Sequence, residues 1–168
     1  MSIPVPPVPQ FAPAEFTLTS LKGLRASGVR AGLKVSGNPD IGLLVADAPM
    51  AAAALFTQNH FAAAPVLRSK QHLERSKGQL RALIINSGNA NACTGEQGER
   101  DALEMTERVA KAVGCPVEQV LICSTGVIGQ KLPMDPLVGN VYPLEQAADA
   151  LLELDERRAL AKVLLRCR

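Results

Sequence analysis

Residues 120–129 read Val-Leu-Ile-Cys-Ser-Thr-Gly-Val-Ile-Gly, and the rest of the chain is organised around them. The apolar run at their start predicts a buried strand over residues 120–123. Two glycines and two hydroxyl side chains follow, which predicts a sharp turn where the strand ends. A turn of this kind points successive backbone N–H groups at one spot. That geometry holds a developing negative charge.

A second stretch earlier in the chain has the same organisation. A buried strand predicted over residues 80–85 runs into residues 86–95, Asn-Ser-Gly-Asn-Ala-Asn-Ala-Cys-Thr-Gly. Asn and Gly tolerate left-handed backbone, so a tight structural loop is one interpretation. The favoured alternative is a polar loop that lines a pocket at a strand end, where α/β proteins bind ligands. The stretch is not a dinucleotide-binding fingerprint and the chain has no Walker motif, so nucleotide binding is weakly supported.

Composition restricts the class of protein. The 168 residues suffice for one domain of ordinary size, and an apolar fraction of 47% excludes a disordered chain. Aromatic residues make up only 3%, so the core is built from Ala, Val, Leu and Ile, and base stacking on aromatic side chains is disfavoured. With 18 basic and 16 acidic residues, the charge pattern does not suggest a nucleic-acid partner.

Metal-binding spacings and membrane segments are not found in the sequence. Two histidines and four cysteines occur without a C-x-x-C pair, so no metal site is expected. We expect Cys93 and Cys123 to be small buried residues and His60 to be a packed or surface residue rather than a base. The start resembles no signal peptide and no apolar run reaches membrane-spanning length, so we expect a cytoplasmic protein without membrane contact.

The remaining strands are predicted from short apolar runs. Alternation over residues 28–34 predicts a half-buried strand. Residues 41–46 and 50–56 predict a hairpin whose loop holds Pro49. Residues 61–66 predict an extended segment, with its proline at a sheet edge.

Three helices complete the prediction. Ser69 is expected to cap a helix over residues 70–77 that Gly78 ends. Residues 99–113 carry the clearest amphipathic pattern, and Gly114 is its expected stop. Pro143 is expected to begin a final helix, with an apolar stripe formed by Leu144, Ala147, Ala148, Leu151 and Leu152. Strands followed by helices favour a layered α/β fold.

Residues 124–126, Ser-Thr-Gly, keep three interpretations open. The first is a serine nucleophile at Ser124, but the G-x-S-x-G context is missing and neither His60 nor His72 has an obvious route to it. The second is an inert turn. The favoured third is an oxyanion hole whose donors come from Thr125 and Gly126.

At residues 86–95 and 124–129, the sequence resembles the ornithine acetyltransferase family, the bifunctional glutamate N-acetyltransferases of arginine biosynthesis. Both stretches are long and specific. Together the similar stretches span roughly residues 20–135, and the shorter ones are 28–34, 55–59, 63–66 and 132–134.

The resemblance implies the family's sheet-and-helix fold and a covalent mechanism. Family members cut themselves into two subunits and expose an N-terminal Thr on the second. That Thr takes acetyl from N-acetylornithine and passes it to glutamate by ping-pong catalysis. By resemblance, Thr125 and Gly126 stabilise the oxyanion. No metal or organic cofactor is implied, although some members use acetyl-CoA as acetyl donor. Intact members are heterotetramers of two alpha and two beta chains.

The resemblance ends near Leu154. No Met-Thr-Thr-Asp-like segment, substrate-binding Lys context or Ala-Thr-Met-Leu-like cleavage site follows, so Lys162 has no assigned role and the substrate-binding residues stay unknown. We therefore expect a proline-rich arm over residues 1–14, an acetyltransferase alpha-portion domain over residues 15–154, and an unmatched basic tail over residues 155–168.

On this basis the chain is expected to be a truncated or frameshifted N-terminal portion that is inactive alone. The alternative is a non-catalytic binding or interaction domain that keeps the family scaffold.

Overall fold

A computed structural model describes residue 17, residues 20–134, and two short strands at Val141–Pro143 and Leu164–Arg166. The arm predicted over residues 1–14 lies outside the described residues. The final helix predicted after Pro143 also lies outside them, and Pro143 itself ends a strand.

A four-stranded sheet forms the centre of the fold. Its strand order is the order of the chain, with two antiparallel pairings followed by one parallel pairing. The parallel pair needs a crossover, and the second helix supplies it. The elements are β1 (Leu24–Val29), β2 (Ile41–Ala51), α1 (Ala64–Arg75), β3 (Gln79–Asn89), α2 (Gly95–Val113), β4 (Val120–Val127), β5 (Val141–Pro143) and β6 (Leu164–Arg166). Strands β5 and β6 pair in parallel in a separate small sheet.

Both helices pack with the sheet to form the core. Alternate β3 residues are buried, and Ala82 and Ile84 cluster with residues of α2. The apolar stripe of α2 supplies Ala102, Met105 and Val109, as its spacing predicted. The layered α/β class expected from the sequence is therefore confirmed.

The opposite face of the sheet carries apolar side chains that no described helix covers. A cleft of about 160 Å³ lies on this face. It is lined by Leu24, Leu44, Ala46, Met50, Leu80, Arg81, Ala82 and Leu83. We call this surface the open face.

Helix α2 confirms the clearest sequence prediction. It ends at Val113, and Gly114 follows in the left-handed conformation with φ 73°. It begins at Gly95, earlier than residue 99, and its first turn packs closely on the preceding loop. A Cβ at Gly98 would lie 1.9 Å from the Thr94 hydroxyl, so only glycine fits there.

The strand predicted over residues 28–34 is wrong beyond Val29. Residues 30–40 form a loop whose N–H groups are bound by a buried side chain. The Asp40 carboxylate accepts hydrogen bonds from the N–H groups of Ala31, Leu33 and Lys34. A side chain that takes these N–H groups replaces the ladder that a strand would need.

The hairpin with Pro49 in its loop is also wrong. Strand β2 runs through Pro49 to Ala51 and pairs with β1 and β3. The register with β3 shifts between Val45 and Met50. Proline has no N–H to give to a ladder, and this irregularity accommodates it.

Helix α1 begins six residues before the sequence prediction, at Ala64. The segment over residues 61–66 is therefore not extended throughout, because Pro65 occupies the first turn, where a missing N–H costs nothing. Ser69 lies inside the helix and is not its cap. The helix ends at Arg75, with Gly78 shortly beyond at φ 72°.

Within the part of the chain that the structure describes, no helix is both long enough and apolar enough to cross a membrane.

Candidate oxyanion site

The two polar stretches found in the sequence lie side by side in the structure. Strands β3 and β4 are parallel and in register, so that Asn86 faces Ser124, Ser87 faces Thr125, and Gly88 faces Gly126. The carboxyl ends of these neighbouring strands thus meet at one edge of the sheet.

The turn predicted directly after Cys123 is wrong, because β4 continues through Val127. Gly126 adopts φ 136°, which disfavours any residue with a side chain. A Cβ at Gly126 would lie 2.2 Å from the carbonyl carbon of Gly88 and 2.4 Å from the amide nitrogen of Asn89. The first glycine of the stretch therefore lets two backbones touch.

Three asparagine side chains hold the chain around this contact. Asn86 Nδ2 donates to the Asn89 carbonyl at 2.7 Å. Asn89 Nδ2 donates to the carbonyls of Gln130 and Lys131, at 3.0 and 3.2 Å. Asn91 Nδ2 donates to the Gly98 carbonyl of α2 at 2.8 Å. These three asparagines are almost completely buried, so each bond replaces solvation that the amide has lost.

Side chains of helix α1 bind the edge of β4 at which a further strand could otherwise pair. The Ser69 hydroxyl donates to the Ile122 carbonyl at 2.7 Å and accepts from the Ile122 N–H at 2.9 Å. His72 Nδ1 donates to the Val120 carbonyl at 2.8 Å. Both side chains are buried. The outer edge of β4 is thus satisfied at Val120 and Ile122 by side chains of α1.

Burial affects the titration of His72. Desolvation lowers its pKa below 6.5, and the hydrogen bond to the Val120 carbonyl opposes that change. Arg68 and Arg75 lower the pKa further, whereas Glu118 raises it. Because a carbonyl only accepts, Nδ1 carries a proton, and the neutral imidazole serves as a structural donor.

The residues of the favoured oxyanion pair are accessible. Thr125 and Gly126 are both exposed, as are the next residues, Val127 and Ile128. The Ser124 hydroxyl is buried and has no hydrogen-bond partner among the described residues. A serine nucleophile needs a base within hydrogen-bond reach, so the geometry gives no support to Ser124 in that role.

Cys93 and Cys123 are exposed, contrary to the sequence expectation. Ile122 points into the core, so by strand alternation Cys123 points to the open face, where no described helix covers it. Desolvation still raises the pKa of the Cys123 thiol, which disfavours a reactive thiolate. Cys93 lies in the turn before α2 with φ 57°.

His60 is exposed and belongs to a separate cleft of about 210 Å³ near the start of α2. Cys93, Thr94 and Glu99 share this cleft, and neither Thr125 nor Gly126 lines it. Among the described residues, no group of three His, Cys, Asp or Glu side chains is arranged to hold a metal ion.

One structural residue near the site was missed in the sequence. Asp40 is buried, and its carbonyl accepts from the Ser87 N–H at 2.8 Å, which joins the loop over residues 30–40 to the polar end of β3. A Cβ at Gly88 would meet the Leu33 carbonyl at 3.0 Å, so this loop packs directly on the strand. In the sequence, the only indication of this role was a single acidic residue directly after the turn-forming residues 36–39.

The sequence and the fold were compared with those of known proteins. A sequence model described as the ArgJ family matches residues 25–165. The match therefore extends into the segment over residues 155–168 that was expected to be unmatched. The arginine biosynthesis bifunctional protein ArgJ of Thermosynechococcus vestitus is 50% identical over 120 residues, which are 71% of this chain and 28% of that protein. The ArgJ protein of Geobacter sulfurreducens is 43% identical over 145 residues, 81% of this chain and 36% of that protein.

Two solved structures are similar in fold and sequence. The crystal structure of ArgJ from Bacillus halodurans has a TM-score of 0.68 at 41% identity and covers 71% of this chain and 62% of that chain. The ornithine acetyltransferase of Mycobacterium tuberculosis, solved in complex with ornithine, has a TM-score of 0.65 at 47% identity. It covers 70% of this chain and 63% of that chain.

The chain spans about a third of the length of the curated relatives it matches. The family match covers most of the chain, and the two solved structures are similar in fold at 41% and 47% identity. The resemblance to the ornithine acetyltransferase family is therefore confirmed, and the chain belongs to the ArgJ family of arginine biosynthesis proteins.

Proposed function

We propose that this chain forms the oxyanion-stabilising part of an ArgJ acetyltransferase, which transfers acetyl from N-acetylornithine to glutamate. Thr125 and Gly126 stabilise the negative charge of the tetrahedral intermediate. The attacking Thr comes from the family's second subunit, which pairs with this alpha portion over residues 15–154. Acetyl-CoA is an alternative donor for the same acyl transfer.

The observation that supports the proposal most directly is the direction of the backbone groups along the outer edge of β4. Val120 and Ile122 direct backbone groups to its outer edge, where His72 and Ser69 bind them. Val127 directs its carbonyl the other way, to the Ala90 N–H on the β3 side. From this alternation we infer that the N–H of Gly126 points to the outer edge, beyond the contacts of α1.

Such an N–H is a suitable oxyanion donor. It belongs to a backbone held by a neighbouring strand, so it does not have to reorganise when charge develops. The adjacent Thr125 adds a hydroxyl and is exposed. Removing one such donor typically costs about 10²–10³ in kcat.

The test uses the 168-residue chain mixed with the remaining portion of the Geobacter sulfurreducens ArgJ protein. We expect acetyl transfer from N-acetylornithine to glutamate in the mixture and none from the chain alone. Thr125→Ala should lower kcat by about 100-fold, because one donor is lost. Thr17→Ala is the matched control, since Thr17 is exposed and its hydroxyl contacts Ser20.

Two results would overturn the proposal. One is full activity from the chain alone, which would place a nucleophile within these 168 residues. The other is a folded mixture without acetyl transfer, combined with calorimetry that detects neither N-acetylornithine nor glutamate. The second result would favour the non-catalytic binding domain.

A further inference from the structure

We infer that Asn89 is the positioning residue of the oxyanion pair, and that it fixes the direction of the Gly126 N–H without touching substrate. Asn89 is the last residue of β3 and is only 3% exposed. The catalytic consequence rests on the proposed function, whereas the positioning itself is a property of this chain.

The backbone of Asn89 forms the seat of Gly126. At the irregularity that ends the β3–β4 pairing, Asn89 pairs with both Thr125 and Val127, so it straddles Gly126. The 2.4 Å gap from the Asn89 nitrogen to a Cβ built at Gly126 shows that the two peptides are in direct contact. The contact with the Asn89 peptide therefore blocks rotation of the Gly126 peptide.

The side chain of Asn89 holds the segment that follows Gly126. Its Nδ2 donates to the carbonyls of Gln130 and Lys131, and its Oδ1 accepts from the Asn91 N–H at 2.8 Å. The side-chain amide of Asn89 thus links the segment after Gly126 to the turn after β3. Two further bonds parallel this tie, from Ala90 N–H to the Val127 carbonyl and from Gly129 N–H to the Ala92 carbonyl.

The consequence for catalysis follows from geometry. A donor stabilises an oxyanion only when it is aimed at the position of the developing charge. A misplacement of about 1 Å can cost about 100-fold in rate. Loosening the Asn89 tie therefore lowers kcat with little effect on substrate binding.

Asn89→Asp is the informative variant. Aspartate keeps the shape and the acceptor for Asn91, but it loses both donors and places an oxygen against two carbonyls. Asn91→Asp is the matched control, because Asn91 is equally buried and loses one bond to Gly98 in α2 instead. Asn89→Ser provides a second variant, whose short hydroxyl cannot reach both carbonyls.

The direct measurement is the residual dipolar coupling and order parameter of the Gly126 N–H in the isotope-labelled chain. In the wild type we expect an order parameter of about 0.85, typical of rigid backbone. In Asn89→Asp or Asn89→Ser the coupling should fall by at least about half, while Asn91→Asp leaves it unchanged. A mobile Gly126 N–H in the wild type would overturn the inference, and this result does not depend on whether any variant folds. Equal losses of the coupling in the Asn89 and Asn91 variants would also overturn it.

Kinetics of the reconstituted mixture separate this inference from the proposed function. Asn89→Asp should lower kcat by about 100-fold and change KM by less than about twofold, whereas Asn91→Asp should show no such split. Acetyl transfer that survives Asn89→Asp unchanged would reject the positioning role and leave the function standing. An inactive wild-type mixture would reject the function, and the dipolar couplings would still decide the role of Asn89.

Discussion

Gly126 is the residue on which the geometry of the site depends most directly. Its φ of 136° and its contact with the Gly88 and Asn89 peptides both exclude a side chain. Thr125, one residue earlier, has no such restriction on its backbone and is exposed. Conformation therefore restricts Gly126, whereas only the proposed function restricts Thr125.

Gly126→Ala should destabilise the fold strongly. The added methyl meets backbone at 2.2 Å, which cannot move aside as a side chain would. We expect a loss of about 3 kcal/mol in the free energy of unfolding, measured in urea. Gly37→Ala is the control, because Gly37 also has positive φ but nothing lies within 4 Å of its Cβ position, so the loss should be about 1 kcal/mol. Equal losses would contradict direct backbone contact at Gly126.

His72 should make stability depend on pH in one direction. Burial lowers its folded-state pKa below 6.5, so the unfolded chain binds the proton more readily. The stability that neutral His72 contributes is complete above pH 6.5 and is lost as pH falls below that value. Urea unfolding between pH 7.5 and pH 5 measures this loss. His72→Gln should flatten the dependence in this range, and His60→Gln, at an exposed position, is the control. A slope that persists in His72→Gln would assign it to another group.

At the residue scale, Thr125 and Gly126 were proposed as site residues from the sequence, and Asn89 was not singled out. Glycines and hydroxyls after an apolar run are a local signal, readable within one stretch. The Asn89 amide binds carbonyls of Gln130 and Lys131, and such long-range partners leave no trace in spacing. The exposure of Cys123 was missed because it depends on which face of the sheet is covered.

Helix α1 acts as an element that closes one edge of the sheet. It hydrogen-bonds to β4 through side chains, since a helix has no free backbone groups along its length to offer a strand. Ser69 alone satisfies both backbone groups of Ile122. An edge strand that is covered in this way cannot recruit another strand at that position.

Ser69→Ala should therefore cost more than an ordinary serine replacement. Both the N–H and the carbonyl of Ile122 lose their partner in a buried place, and we expect a loss of about 2–3 kcal/mol. Ser76→Ala is the matched control, because its hydroxyl has a single local bond to the Leu73 carbonyl, and its cost should stay below about 1 kcal/mol. Hydrogen exchange at the Ile122 amide should accelerate only in Ser69→Ala. An unchanged rate would show that α1 does not protect this edge.

At the element scale, prediction succeeded where periodicity was long. The pattern of α2 extends over several turns and a glycine ends it, so its type and end were found. Strand β2 was divided at Pro49 because proline usually breaks a ladder, and the register shift that accommodates it arises only from pairing with β3. Helix α1 was shortened because Pro65 signals an edge strand and a helix start equally well.

Among the described residues, the central sheet has one covered face and one open face. Helices cover one face of the sheet, and the open face carries an apolar cleft with Met50 at 44% exposure. Contiguous apolar surface of this kind drives association. The chain in isolation should therefore self-associate as its concentration rises.

Met50→Lys should reduce this self-association, as measured by sedimentation velocity across a concentration series. A charge on the rim of the cleft must be desolvated when the face is covered. Leu55→Lys is the matched control, because Leu55 is fully exposed but does not line the cleft. Equal effects of both variants would show that the open face is not the associating surface.

The contact between Gly88 and Gly126 also limits how such a site can vary. Its floor is built from two peptide backbones and contains no side chain at the point of contact. Substitution can reshape a wall made of side chains, but it has nothing to exchange on this floor. Under the proposed function, changes in substrate preference would therefore arise from the residues around Thr125 and Gly126, because this floor has no side chain to exchange.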